Sequence, residues 1–122
     1  MVPLDRGTFR AWLDEYATAW ETGDADAAAA LFAPDATYHE TPFTEPLAGR
    51  DAIRAYWTET TAAQEATDVR ATVESISRAR GIARFQARFV RDATTVDLDG
   101  VLSARFVAGD CVELREWWHA KG

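Results

Sequence analysis

An alternation of apolar and polar residues in the second half of the chain restricts its fold more than any other feature. The pattern is clearest in one segment: Ala83, Arg84, Phe85, Gln86, Ala87, Arg88 and Phe89. Successive side chains of a β-strand point to opposite faces, so this segment predicts a strand with one buried and one hydrated face. Turn residues near Gly81, Ala93 and Gly109 divide the region into four predicted strands, at about 69–79, 82–91, 94–107 and 111–120.

The first part of the chain has a helical period instead. Apolar side chains recur three or four residues apart: Phe9, Trp12, Leu13, Tyr16 and Trp20. Gly23 should end this helix, because a C-terminal cap favours a residue that can adopt positive φ. Asp24 can cap a second, alanine-rich helix with Leu31 and Phe32 at its buried end, and Pro34 should stop it.

A short strand and a third helix join these two regions. Residues 36–41 are β-prone, and Pro42, Pro46 and Gly49 then punctuate a lid-like loop. Helical spacing returns and predicts a helix over about 50–64. Helices followed by a meander of strands predict an α+β fold, in which the helices pack on one face of a mostly antiparallel sheet. The length of 122 residues predicts one domain over 1–122.

Composition excludes several classes of function. The net charge is -7 and the basic residues are scattered, which does not suit binding to nucleic acid. Cys111 is the single cysteine, so we expect neither an internal disulfide nor a thiolate metal cluster. Charged residues interrupt the apolar stretches near the start, so we expect no signal peptide or membrane span, and a cytoplasmic protein.

Few residues are candidates for chemistry on their own. His39 and His119 are the two histidines, and their spacing from the carboxylates matches no metal-binding pattern, so we predict no metal and no cofactor. His39 alternates with Glu40 and should face away from it, in a structural or interface role. The five tryptophans exceed what a small core needs, which indicates a lined cavity or an interface.

The order of elements and several short motifs resemble the nuclear transport factor two-like superfamily, in its SnoaL-like and ketosteroid isomerase-like branch. The matching positions are Tyr16, Gly23-Asp24, the segment from Leu31 to Thr37, and Gly49 to Ile53. The resemblance covers about residues 9–119. It implies a cone-shaped fold, with three helices on a strongly curved sheet that encloses a pocket for a small molecule. Members of this superfamily include isomerases, cyclases, dehydratases, epoxide hydrolases and non-catalytic domains, so the fold does not name the reaction.

The resemblance allows the steroid isomerase pattern to be compared with this sequence residue by residue. Tyr16 falls at the position of the donor tyrosine, and Glu40 at that of the aspartate base, although Thr41 is an extra residue before Pro42. Leu102 falls at the second proton donor and cannot donate. Phe32 and Trp57 fall where tyrosines support the donor, so that hydrogen-bonded network is absent. Ketosteroid isomerisation is therefore not expected.

The direction of the last strand decides which residues line the pocket. The strand phase that the resemblance implies points Arg115, Trp117 and His119 inward, whereas the hydropathy of the strand favours the opposite phase, with Val112, Leu114 and Trp118 inward. With the first phase, His119 joins Glu40 and Tyr16 as a catalytic candidate. The ligand-binding candidates are then Trp20, Tyr38, Trp57, Phe85, Leu102, Arg115 and Trp117.

Two functions of different classes follow from these residues. In the first, the protein is a cofactor-independent isomerase, cyclase, dehydratase or epoxide hydrolase acting on a compact apolar ligand. Glu40 or His119 would move a proton, and Tyr16 or Arg115 would stabilise negative charge. In the second, the same cone is a non-catalytic module for ligand binding or dimerisation. For both we expect a homodimer formed through the outer face of the sheet, where Arg84 and Arg88 lie.

Overall fold

A computed structural model describes residues 3–122, and it contains three helices and one six-stranded sheet. The elements in chain order are α1 (Arg6–Thr22), α2 (Ala25–Ala30), β1 (Phe32–His39), β2 (Leu47–Ala48), α3 (Arg50–Ala62), β3 (Glu65–Ser77), β4 (Arg80–Arg91), β5 (Thr94–Val107) and β6 (Asp110–Lys121). The α+β class and the four long strands predicted from the sequence are confirmed.

Helix α1 has a cap at each end that the sequence encodes. The Asp5 carboxylate accepts a hydrogen bond from the backbone N–H of Thr8 at 2.7 Å, which satisfies one of the free donors of the first turn. Gly23 ends the helix with φ 68° and ψ 27°, in the left-handed region expected of a C-terminal glycine. These caps fix the length of the helix that carries Tyr16.

The boundary between α2 and β1 differs from the prediction. Helix α2 ends at Ala30, Leu31 is its C-cap, and Phe32 already belongs to β1. Pro34 lies inside the strand, where the register against β6 shifts between Phe32 and Thr37. A proline lacks a backbone N–H, and it is tolerated here because this stretch of β1 does not pair regularly with its neighbour.

The sheet is curved and mostly antiparallel, with the strand order β2-β1-β6-β5-β4-β3. Strands β3 to β6 form a meander, and β1 pairs with β6 in parallel. The last strand therefore lies between the first strand and the rest of the sheet. It brings residues from the end of the chain beside residues of β1 and α1.

The two faces of the sheet have different character. The inner face packs against the helices in one core that includes Phe9, Leu13, Phe85 and Leu102. On the outer face, Arg84 and Arg88 pair across β4 and β5 with exposed carboxylates: Asp99 and Asp97. Within residues 3–122, no helix combines the length and the apolar character needed to cross a bilayer.

Candidate active site

Glu116 of strand β6 is a buried carboxyl group on the inner face of the sheet. Only 6% of the residue is exposed to solvent. It pairs across the strands with Leu102, which is 0% exposed, while Leu114 on the same face pairs with Ala104. Paired residues of neighbouring strands share a face, so the register of β6 against β5 fixes Glu116 in the interior.

Two tyrosine hydroxyls donate hydrogen bonds to one oxygen of Glu116. The hydroxyl of Tyr16, from α1, lies 2.7 Å from Oε1, and the hydroxyl of Tyr38, from β1, lies 2.6 Å from the same atom. The two hydroxyl oxygens lie 3.3 Å apart. Among residues 3–122 no side chain or backbone group forms a hydrogen bond with Oε2 of Glu116, so this oxygen is left for a ligand or a proton.

Burial and neighbouring charge shift the pKa of each of these three groups. Burial raises the pKa of Glu116 to about 7, and the charge of Glu40 acts in the same direction, while the two tyrosine hydrogen bonds oppose them. Burial, together with the charge of Glu116, raises the pKa of Tyr16 and of Tyr38 well above the ordinary value. The tyrosines thus stay protonated and donate, whereas Glu116 can hold or release a proton near neutral pH.

Glu40 is the second carboxyl group at this site. It follows the end of β1, is half-buried, and accepts a hydrogen bond at Oε2 from the hydroxyl of Tyr56 on α3. Burial is the main cause that raises the pKa of Tyr56, and the charges of both carboxylates and the bond to Glu40 add to it. Tyr56 therefore remains a donor and orients Glu40.

Glu40 and Glu116 line the same cavity between the sheet and the helices. Its volume is about 470 Å³, enough for a small organic ligand. Its walls are mostly aromatic and apolar: Trp20, Tyr38, Tyr56, Trp57, Ala63, Phe85, Phe89, Val96, Leu98, Trp118 and Ala120. The remaining lining residues are polar: Glu40, Glu59, Thr60, Gln64, Arg91 and Glu116.

Several residues that the sequence singled out lie at this cavity. Glu40, Trp20, Tyr38, Trp57 and Phe85 all line it. Tyr16 lies behind Glu116 and reaches the cavity through that carboxyl group. Leu102 is buried beside Glu116 in the sheet and does not line the cavity.

The expected phase of the last strand is wrong. Arg115, Trp117 and His119 point to the outer face, where Trp117 is 48% exposed and His119 borders a surface groove with Arg88 and Lys121. The opposite phase, which the hydropathy of the strand favours, is correct: Leu114 lies in the core and Trp118 lines the cavity. Turning Arg115 and His119 inward would have buried a cation and an imidazole in place of one carboxyl group that two tyrosines satisfy.

Sequence reasoning missed Glu116, which is the most buried carboxyl group of the site. The available signal was a single acidic residue at the same alternation phase as Leu114 and Trp118, which is the phase that the hydropathy of the strand favours. Tyr38 and Glu116 build a hydrogen-bonded network at positions other than those of Phe32 and Trp57.

Comparison with known proteins gives a family profile and structural neighbours. The profile of the SnoaL-like domain matches residues 13–114. No curated protein sequence matches the chain. One similar solved structure is described as the epoxide hydrolase/cyclase-like enzyme SalBIII, with a role in pyran ring formation in the polyether salinomycin. It has a TM-score of 0.81 and 19% identity, over 94% of this chain and 93% of that one.

A second similar structure comes from Catenulispora acidiphila. It is described as a hypothetical protein with a ketosteroid isomerase-like fold, in complex with trimethylamine. The TM-score is 0.78 and the identity is 17%, over 87% of this chain and 83% of that one. At these identities the two structures establish the shared fold.

Proposed function

The chain belongs to the SnoaL-like domain family, and we propose that within it this protein is a cofactor-independent enzyme that opens epoxides of compact, mostly apolar molecules. The observation that carries the proposal is Glu116, a carboxyl group with a pKa of about 7 at the wall of a cavity that also contains Glu40. Two carboxyl groups in different environments can divide the roles of acid and base between them.

Glu116 is the general acid of this proposal. Near neutral pH a large fraction of it is protonated, and Oε2 is free to hold that proton because both tyrosines bond to Oε1. When the C–O bond of the epoxide breaks, its electron pair goes to the oxygen, which takes the proton from Glu116. The two tyrosine hydroxyls then stabilise the carboxylate that remains.

Glu40 is the general base. Tyr56 holds one of its oxygens, and the other can accept a proton from water or from a hydroxyl of the ligand as that oxygen attacks the epoxide carbon. The reaction consumes one epoxide and one water and gives a diol, or gives a cyclic ether when the nucleophile is internal. Glu40 ends protonated and Glu116 ionised, and a proton passing from Glu40 to Glu116 restores the starting state.

The structural neighbours support epoxide opening over the other reactions of this class. SalBIII is described as epoxide hydrolase/cyclase-like, and its fold matches nearly the whole chain. The neighbour from Catenulispora acidiphila is described in complex with trimethylamine, so a protein of this fold can bind a compact molecule. Isomerisation, aldol-type cyclisation and dehydration need the same acid and base and are weaker alternatives.

The test uses styrene oxide, an epoxide small enough for the cavity, with the diol measured by chromatography. We expect turnover above the buffer rate, reduced about a hundredfold or more in Glu116→Gln and in Glu40→Gln. Glu15→Gln is the matched control, because Glu15 is an exposed carboxylate of α1 that does not line the cavity. Binding of styrene oxide without turnover would favour the non-catalytic module instead.

We also propose that the protein acts in the cytoplasm as a homodimer joined through the outer face of its sheet. Val101 and Trp117 pair across β5 and β6 on that face and are 40% and 48% exposed. A cytoplasmic location is supported by the single cysteine, since Cys111 is buried and unpaired.

A further inference from the structure

In the described part of the chain, the carboxyl groups that line the cavity are not paired with a cation of the protein. Glu40, Glu59 and Glu116 line it, and among residues 3–122 none of the three forms a salt bridge. Arg91 is the basic residue of the lining, and its guanidinium lies over the ring of Phe89, 5.6 Å from the ring centre. Carboxylates facing an apolar cavity without a partner cation favour a ligand that supplies positive charge.

The aromatic walls favour the same kind of ligand. The rings of Tyr56 and Trp57 lie 5.5 Å apart at 82°, and those of Tyr38 and Trp57 lie 6.1 Å apart at 84°. Rings at such angles form corners, and the face of an aromatic ring attracts a cation through its quadrupole. Trp20 extends this wall, at 5.3 Å from Trp57 and 62° to it.

We propose that the cavity is a binding site for compact organic cations, held between the aromatic walls and the carboxylates Glu40 and Glu116. Quaternary and protonated amines have the required chemistry, since an alkyl ammonium ion presents an apolar surface to the rings and a positive charge to the carboxylates. Binding of cations does not depend on the proposed function. The choice of epoxide substrates, argued next, rests on it.

For the reaction, the inference names the class of epoxide. Once Glu116 has given its proton to the epoxide oxygen, Glu116 is an anion and the carbon losing that oxygen is electron-deficient. An ammonium ion beside ionised Glu116 reproduces this distribution of charge. The preferred substrates are therefore epoxides with a benzylic or tertiary carbon, which can carry positive charge, and organic ammonium ions are inhibitors.

Binding of a cation competes with the proton on Glu116. The other titratable or charged groups that face this carboxyl or line its cavity are Tyr16, Tyr38, Glu40, Tyr56, Glu59 and Arg91. The three tyrosines remain neutral, because their pKa values are raised. A cation should therefore bind more tightly as the pH rises through about 7 and Glu116 ionises.

The experiment compares choline with 3,3-dimethyl-1-butanol, in which carbon replaces the charged nitrogen. Both are titrated into the full chain labelled with nitrogen-15, and the indole N–H signals of the tryptophans report binding. At pH 8 we expect roughly tenfold tighter binding of choline. The preference should shrink about threefold or more at pH 5.5, because choline keeps its charge there while Glu116 takes up a proton.

Variants locate the site and separate this inference from the proposed function. Glu116→Gln and Glu40→Gln should each lower the preference for choline at pH 8, while Glu15→Gln should not. Equal binding of the two compounds, or a preference that both active-site variants retain, overturns the inference. Turnover of styrene oxide with no choline preference supports epoxide opening and contradicts the cation site. A choline preference without any turnover supports the cation site and contradicts the enzyme.

Discussion

At the scale of single residues, the chemistry of the site depends on how Glu116 is solvated. Burial favours its neutral form, and the hydroxyls of Tyr16 and Tyr38 favour its ionised form. The balance leaves a largely buried carboxyl group that can change its protonation state near neutral pH. The same balance makes the stability of the protein depend on pH.

Glu116→Gln should remove that pH dependence. The folded state raises the pKa of Glu116 from 4.5 to about 7, so it binds the proton more tightly than the unfolded state does. The resulting stabilisation is present below pH 4.5 and is lost as the pH rises to 7, by about 3 kcal/mol in all. Urea unfolding at pH 5 and pH 8 should show wild type losing more stability than the variant, and a parallel change in both proteins would contradict this.

Tyr16→Phe should move the titration of Glu116 upward. The lost hydrogen bond stabilised the carboxylate, so the pKa of Glu116 should exceed its wild-type value, and unfolding should become easier by about 1 kcal/mol. Carbon-13 NMR of the glutamate side chains measures the shift. Tyr56→Phe is the control, because its hydroxyl bonds to Glu40, and an equal shift in both variants would show that Tyr16 has no specific effect.

The sequence allowed part of this site to be predicted. Glu40 could be placed at the pocket and Tyr16 near it from local motifs, but no local motif marks Glu116. Its position depends on the pairing of Leu102 with Glu116, which joins residues from two strands and is decided by the packing of the whole inner face.

At the scale of elements, patterns with a strong period were reliable and short elements were not. The alternation in β4 located that strand, and Gly23 located the C-terminal end of α1, each to within a few residues. Helix α2 has only six residues, so tertiary contacts and not its own sequence decide where it ends. Leu31 and Phe32 fit the end of a helix or the start of a strand equally well, and the parallel pairing with β6 selects the strand.

Gly23→Val should destabilise the protein through the end of α1. Gly23 has φ 68°, and a β-branched residue reaches this conformation only with strain, at a cost of about 1 kcal/mol or more. Gly7→Ala, in the first turn of the same helix, should keep or increase the thermal midpoint, because a Cβ there meets nothing closer than 3.4 Å. Equal midpoints for the two variants would show that the cap conformation does not matter.

At the scale of the whole molecule, the outer face of the sheet is the surface to test for self-association. Light scattering at high micromolar concentration should give twice the mass of the chain. Trp117→Glu should give the monomer, because it places a charge in the centre of the proposed interface. Phe43→Glu introduces the same charge in place of another exposed aromatic residue, in a loop where Phe43 is 92% exposed, and should leave the dimer intact. A monomeric wild-type protein contradicts the interface.

The place of β6 in the sheet also governs when the molecule can be assembled. A nascent chain that stops before Asp110 has made β1 and β5 but lacks the strand that lies between them. Both strands then present open edges that invite pairing with other chains, and Tyr16 and Tyr38 have no carboxylate to hold. The carboxyl group that both tyrosines hold is therefore in place only after β6 has inserted between β1 and β5, and until that step the two strand edges remain open to aggregation.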